Sequence, residues 1–217
     1  MNAVLTTLLK TGAADLGVEL DRQQLDRFAL LSVELRKWNR KINLTAIDSE
    51  HEIVVKHFVD SLAAAKVVRG TGMLLDMGSG GGFPALPLKI LYPELGVVSV
   101  DAVEKKIIFQ RHAARLLGLS DFTALHARVE TLADASAGRF DWITSRAFAE
   151  LATFASLAAP LLKPDGRMVA LKGPEGEAEA RAAAESLSSL GIRVQEIVTF
   201  SLPSSGDRRS LVVMAPD

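Results

Sequence analysis

The residues best able to do chemistry in this 217-residue chain gather at one turn, Asp76-Met77-Gly78-Ser79-Gly80-Gly81-Gly82. Gly78, Gly80 and Gly82 follow a short apolar run and precede a helical pattern. Such a turn lets backbone approach a ligand closely and aims free helix N–H groups at it. That suits a nucleotide-like cofactor. Asp101 lies twenty-three positions beyond Gly78, at the carboxyl end of the next apolar run. A carboxylate there can accept hydrogen bonds from both hydroxyls of a ribose. The competing reading is a plain strand-to-helix turn and an Asp that caps the helix near Val103, but it leaves the spacing of the two elements unexplained.

The turn reads G-x-G-x-G, whereas dinucleotide pyrophosphates are held by G-x-G-x-x-G. Asp76 precedes it, and a carboxylate there suits no pyrophosphate. It can orient the turn or face the cationic amino-acid portion of S-adenosylmethionine. Two further strand ends line the same crevice. Arg128-Val129-Glu130 could read an adenine edge with backbone N–H groups and an acidic side chain, or be an ordinary helix N-terminus in which Glu130 favours the dipole. Ser145-Arg146-Ala147-Phe148 stands where a substrate would meet a methyl group. Lys172 could contact phosphate or base, or be a solvated turn residue ahead of Gly173 and Pro174.

These residues need a scaffold, and the hydrophobic pattern supplies an α/β one. The first seventy or so residues read as helices. Asp21 to Gln24 matches a variant capping box, followed by a stripe of Leu25, Phe28, Ser32, Leu35 and Trp38. A second helix is expected from about Ser49 to Lys66, with Ile53, Val54, His57, Phe58, Ser61 and Leu62 inward. From Met73 onward apolar runs alternate with helical segments, as in a mostly parallel sheet. Strands are predicted at Met73–Met77, Val97–Asp101, Phe122–His126, Trp142–Ser145, Arg167–Leu171, Arg193–Phe200 and Leu211–Ala215, with helices near 83–91, 103–117, 151–161 and 175–190. The loop Pro203 to Arg209 is too short for a crossover helix, so the seventh strand should run antiparallel. An antiparallel closing strand is a mark of Rossmann-like class I methyltransferase sheets. The organisation expected is a helical appendage over residues 1–70 and a methyltransferase domain over 71–217.

Composition narrows the remaining classes. With 48% hydrophobic and 24% charged residues the chain can bury a substantial core. It has no cysteine, which closes disulfide and thiol chemistry and fits a reducing cytosol, so a cytoplasmic location is expected. The run from Leu151 to Leu162 is too short and too interrupted to cross a membrane, and no signal peptide is expected. A net charge of −1 gives no global pull on nucleic acid, so any RNA contact must come from local patches. Arg36-Lys37-Trp38-Asn39-Arg40-Lys41 is one candidate and Arg208-Arg209 another, although Trp38 reads better as the end of the apolar stripe than as a stacking platform. His51, His57, His112 and His126 show no ligand spacing, so no metal is expected. His57 and Asp60, one helical turn apart, suggest a local hydrogen bond bracing the helices.

Taken together, Lys37-Trp38-Asn39, Asn43-Leu44-Thr45, His57-Phe58-Val59-Asp60-Ser61, Gly82-Phe83-Pro84, Arg128-Val129-Glu130, Ser145-Arg146-Ala147-Phe148 and Leu171-Lys172-Gly173 resemble the bacterial small-subunit ribosomal RNA guanine-N7 methyltransferase G family, also called glucose-inhibited division protein B. The resemblance spans nearly the whole chain. It departs at Gly81, where alanine or proline is frequent, and at Ala85, where glycine is. It implies an enzyme that transfers a methyl group from S-adenosylmethionine to N7 of a guanine in the decoding-region loop of 16S ribosomal RNA. It also implies cofactor contacts at Gly78, Phe83, Val129, Glu130 and Arg146, beside the Gly80 turn and Asp101 at the ribose. Arg146 is assigned to aligning substrate or cofactor. The expected partner is 16S ribosomal RNA or a small-subunit particle, met by a monomer with no membrane attachment.

Guanine N7 carries an in-plane lone pair and no proton, so its methylation needs positioning more than a base. The sequence agrees, having no Asn-Pro-Pro-aromatic or Asp-Pro-Pro-aromatic motif after the fourth strand and no thiol to activate a pyrimidine ring. The alternatives are a methyltransferase of the same fold acting on another RNA position or a small molecule, and an S-adenosylmethionine-binding regulator without catalysis.

Overall fold

The computed structural model describes residues 1–132 and 136–217. Two amphipathic helices open the chain, α1 (Ala3–Asp15) and α2 (Arg22–Ile42). Asp21 caps α2 with the reciprocal bonds of the anticipated capping box: its carboxylate accepts from Gln24 N, and the Gln24 side chain accepts from Asp21 N. The next helical segment, α3 over 50–66, is not a regular α-helix. Its middle, Ile53–Val59, winds as a π-helix, and its end, Ala63–Lys66, tightens to 3₁₀. The anticipated inward residues Ile53, Val54, His57, Phe58, Ser61 and Leu62 are all buried, and so are Val55, Val59 and Asp60. A segment this enclosed gains nothing from one-sided periodicity, and tertiary packing rather than propensity holds its conformation.

Among the described residues seven strands follow: β1 (Met73–Met77), β2 (Gly96–Asp101), β3 (Phe122–His126), β4 (Phe140–Arg146), β5 (Leu162–Lys172), β6 (Ile192–Ser201) and β7 (Arg208–Pro216). Among the described residues four α-helices lie between them: α4 (Ala85–Leu91), α5 (Glu104–Leu116), α6 (Leu151–Ala158) and α7 (Gly176–Ser189). The sheet order is β3-β2-β1-β4-β5-β7-β6, and β7 runs antiparallel to both its neighbours. This is the expected seven-stranded class I methyltransferase sheet.

Alternate residues along the strands feed two cores. Leu74, Trp142, Leu211 and Val213 face Ala64, Val68, Ala85 and Leu88, while Leu75, Ile143, Val212 and Met214 face α6 and α7. This is the period of two that a sheet covered on both faces requires. A third core joins Phe28, Leu31 and Leu35 of α2 to Phe58, Phe83, Leu86 and Phe109. Trp38 is half-buried against Phe109 and His112, ending the stripe as core. Truncating Phe58, which is fully buried and packed on Phe28, would cost about 3–5 kcal/mol.

β4 and β7 begin two and three residues ahead of the predicted limits, and β5 departs furthest. β5 begins at Leu162 rather than Arg167, because Pro164 is exposed and the pairing with β4 shifts register between Phe140 and Trp142. An irregularity of this kind accommodates a proline inside a strand. No described helix is long and apolar enough to cross a membrane.

Candidate active site

The strand order reverses between β1 and β4, and ligands of open α/β sheets bind outside the carboxyl ends of strands at such a point. There the glycine turn leaves β1. Gly78 N and Ser79 N donate to Val100 O at 3.0 and 3.1 Å, stitching the turn to β2. Gln110, fully buried on α5, donates through Nε2 to Ser79 Oγ and Gly80 O, both at 2.8 Å. Gly80 N donates to Asp101 Oδ2 at 2.8 Å, and Val103 N to Asp101 Oδ1 at 2.8 Å. Each carboxylate oxygen of Asp101 therefore keeps a lone pair for a further donor, as two ribose hydroxyls require.

Asp76 serves the first of its two anticipated roles. It is fully buried, and its oxygens accept from Ala85 N at 3.2 Å and Thr144 Oγ1 at 3.0 Å. It thus fixes the start of α4 to β4. Burial pushes its carboxyl up to about 7, against the pull of those two hydrogen bonds.

Beside the turn opens a cleft of about 540 Å³, floored by Gly78, Gly80, Phe83, Arg146 and Lys172 and walled by Thr45, His57 and Arg209. Gly80 has φ +58°, and a Cβ placed on it would meet nothing within 4 Å. This is an open cradle at the point where backbone must approach a ligand. Four of the anticipated site residues, Gly78, Gly80, Phe83 and Arg146, line the cleft. Asp101, Val129 and Glu130 do not. They follow one another along the ends of β2 and β3, where Ala127 N donates to Asp101 O at 3.3 Å. Val129 is buried and Glu130 exposed on the 3₁₀ turn Val129–Thr131.

Arg146 ends β4 and reaches across to α3. Nη1 donates to Lys56 O at 2.9 Å and Asp60 Oδ2 at 3.1 Å, and Nη2 to His57 Nδ1 at 3.1 Å. In place of the anticipated local bond between His57 and Asp60, both side chains bond the same guanidinium. The His57 ring lies parallel to Phe83 at 4.5 Å, and the Arg146 guanidinium sits 5.5 Å from the Phe83 centroid. Burial, reinforced by the Arg146 charge, holds the His57 imidazole down at about 3. Asp60 Oδ1 accepts from Arg209 Nε at 3.0 Å.

Lys172 is partly buried and already paired. Its Nζ donates to Ala149 O and Glu179 Oε1, both at 2.8 Å. Arg36 and Lys37 of the first basic patch pair with Glu50 and Glu34. Gln110 and Thr144, which brace the turn and Asp76, belong to no motif that the sequence displays. Their only signal was a polar side chain at a position that should be buried.

These residues fit S-adenosylmethionine on the structure's own terms, through an open cradle at Gly80, a ribose-compatible carboxylate and an adjoining cleft. Comparison with known proteins decides the family. The family model for rRNA small subunit methyltransferase G matches residues 23–212. A protein of that name from Geotalea uraniireducens is 58% identical over 99% of this chain and 98% of its own length. Another from Geobacter metallireducens is 59% identical over 95% of this chain and 94% of its own. The chain belongs to the rRNA small subunit methyltransferase G family. As a member of that family it is an S-adenosylmethionine-dependent methyltransferase. A SAM-dependent methyltransferase from Aquifex aeolicus shares the fold of this chain at 18% identity, with a TM-score of 0.60 over 79% of this chain and 96% of that one.

Proposed function

We propose that the enzyme methylates N7 of a guanine in the decoding-region loop of 16S ribosomal RNA. The observation that carries this is the commitment of the imidazole and the carboxylate that line the cleft, together with Lys172. Among the described lining residues, His57 has both ring nitrogens engaged, Asp60 has an arginine on each oxygen, and Lys172 is bound to a carboxylate and a carbonyl. A target that must lose a proton before or during transfer, such as an exocyclic amine or a ribose hydroxyl, meets no uncommitted imidazole or carboxylate among those described lining residues. N7 needs none, because its lone pair is already in the plane of the base.

When bound, S-adenosylmethionine supplies a methyl group activated by its sulfonium. The protein's part is placement. Gly78 and Gly80 would let the backbone approach the cofactor's amino-acid portion, Phe83 would line the same pocket, Asp101 would accept from the ribose, and Val129 with Glu130 would border the adenine. Arg146 aligns cofactor and base by donating hydrogen bonds, which favours in-line approach without proton transfer. The cleft lining also suits an RNA: it carries Lys56, Lys106, Arg146, Lys172 and Arg209 against a single carboxylate, Asp60. A chain of net charge −1 thus concentrates positive charge where phosphates would pass.

The test is incubation with labelled S-adenosylmethionine and small-subunit particles from cells lacking the protein, in parallel with naked 16S RNA, followed by nucleoside analysis. Label in 7-methylguanosine is the expected result. Label in any other nucleoside would overturn the assignment.

A further inference from the structure

We infer that His57 and Asp60 are positioning residues that fix the orientation of Arg146, making segment α3 a working part of the reaction cleft rather than a cover for the sheet. The inference rests on the reading in which Arg146 meets cofactor or substrate, and it names what makes that possible. A guanidinium has five N–H donors. Among the described residues, three go to α3, namely two from Nη1 and one from Nη2. Nε–H and the second Nη2–H remain for whatever the cleft binds. With one edge held at three points and the guanidinium carbon 5.5 Å from the Phe83 ring centroid, the side chain cannot turn without breaking several bonds together.

The protonation pattern follows from the geometry. A guanidinium can only donate, so Nδ1 of His57 must be the bare acceptor. The proton is then on Nε2, which donates to Thr45 Oγ1 at 2.9 Å. Thr45 is itself held, because its N donates to Asn39 Oδ1 at 2.9 Å and its hydroxyl accepts from Ile47 N at 3.1 Å. A single tautomer thus links the end of α2 to Arg146. Its neutral form is the one that burial favours. Asp60 stands between two cations, Arg146 and Arg209, and ties the end of β4 to the β6–β7 hairpin.

The π-helical winding contributes directly. Asp60 N donates to Val55 O, five residues back. In an α-helix it would donate to Lys56 O, the carbonyl that Arg146 uses here. Widened turns of this kind recur at functional sites.

Two substitutions separate positioning from packing. His57→Phe keeps a ring against Phe83 but removes both nitrogens, whereas His57→Asn loses the stacking but can return an acceptor to Arg146. Positioning predicts that His57→Phe lowers turnover about 100-fold while His57→Asn recovers at least part of it, although the Asn variant melts at the lower temperature. A purely structural role predicts the reverse ranking, with the better-packed Phe variant the more active, and that result would overturn the inference. Label on RNA of any kind is counted, so the ranking and the identity of the methylated nucleoside fail separately. A second readout needs no substrate: the Arg146 Nε–H resonance, assigned by its loss in Arg146→Ala, should lose order in His57→Phe and in Asp60→Asn. Unchanged order in both variants would equally sink the proposal.

Discussion

Two buried residues of the cleft region titrate in opposite senses, and stability should record both. Asp76 binds its proton more tightly folded, at about 7, than its ordinary 3.8. Its contribution is complete below about 3.8 and is lost as pH rises through 7. His57 binds its proton more weakly folded, at about 3 against an ordinary 6.5. Its contribution is present above 6.5 and is lost as pH falls toward 3. Between about pH 4 and 6.5 the two slopes oppose each other. Asp76→Asn should therefore melt at falling temperature on acidification from pH 7 to 4, more steeply than the parent, and His57→Phe should show the opposite tilt. Parallel melting curves for all three proteins would contradict the assignment. At the same scale, Arg146→Ala should reduce methyl transfer by at least about 100-fold, the size of effect seen when one aligned donor is removed from an active site, while circular dichroism stays that of the parent. Near-normal turnover would remove Arg146 from the site.

At the scale of elements, the glycine turn divides into positions that hold the fold and positions that face the ligand. A Cβ on Gly78 would lie 2.3 Å from Phe148 Cδ2, whereas one on Gly80 meets nothing within 4 Å. Gly78→Ala should therefore destabilise the protein outright. Gly80→Ala should cost only the left-handed backbone penalty of roughly 1–2 kcal/mol, yet weaken S-adenosylhomocysteine binding about tenfold or more by calorimetry. Equal loss of affinity and stability in both would show that the turn has no ligand face. This turn was legible because glycine spacing and strand context are local signals. So were β1 and β3, whose limits match the alternating apolar runs, and the antiparallel β6–β7 pair, whose connection is too short for a helix. The π-helical winding within α3 was not, since the inward positions 53, 54, 57, 58, 61 and 62 fit an ordinary helical stripe and spacing alone does not separate π from α winding. Nor was the grip on Arg146, whose partners His57 and Asp60 lie 89 and 86 residues away. Sequence nominated His57 with Asp60 as a local pair and Arg146 apart from them, and only the crossing of α3 over the sheet joins the three.

For the whole molecule, charge placement matters more than charge total. Five cations line a cleft with one carboxylate in a chain of net charge −1. If three of them meet phosphates of single-stranded RNA, KM for the RNA should rise roughly tenfold or more between 50 and 200 mM salt, with affinity for the cofactor much less affected. A KM independent of salt would rule out phosphate contact in the cleft. The sheet order carries a last consequence, for how the enzyme comes into being. β7 is threaded between β5 and β6, and its Arg209 closes on Asp60 from 149 residues away. A chain emerging from the ribosome can gather α1 to α5 around the Phe28–Phe58–Phe109 core when little more than half of it has been made. β6, however, has no neighbour to pair with until β7 follows. Chains interrupted before Arg208 should therefore show helical content but no methyl transfer, because the wall of the cleft that carries Arg209 has yet to be translated.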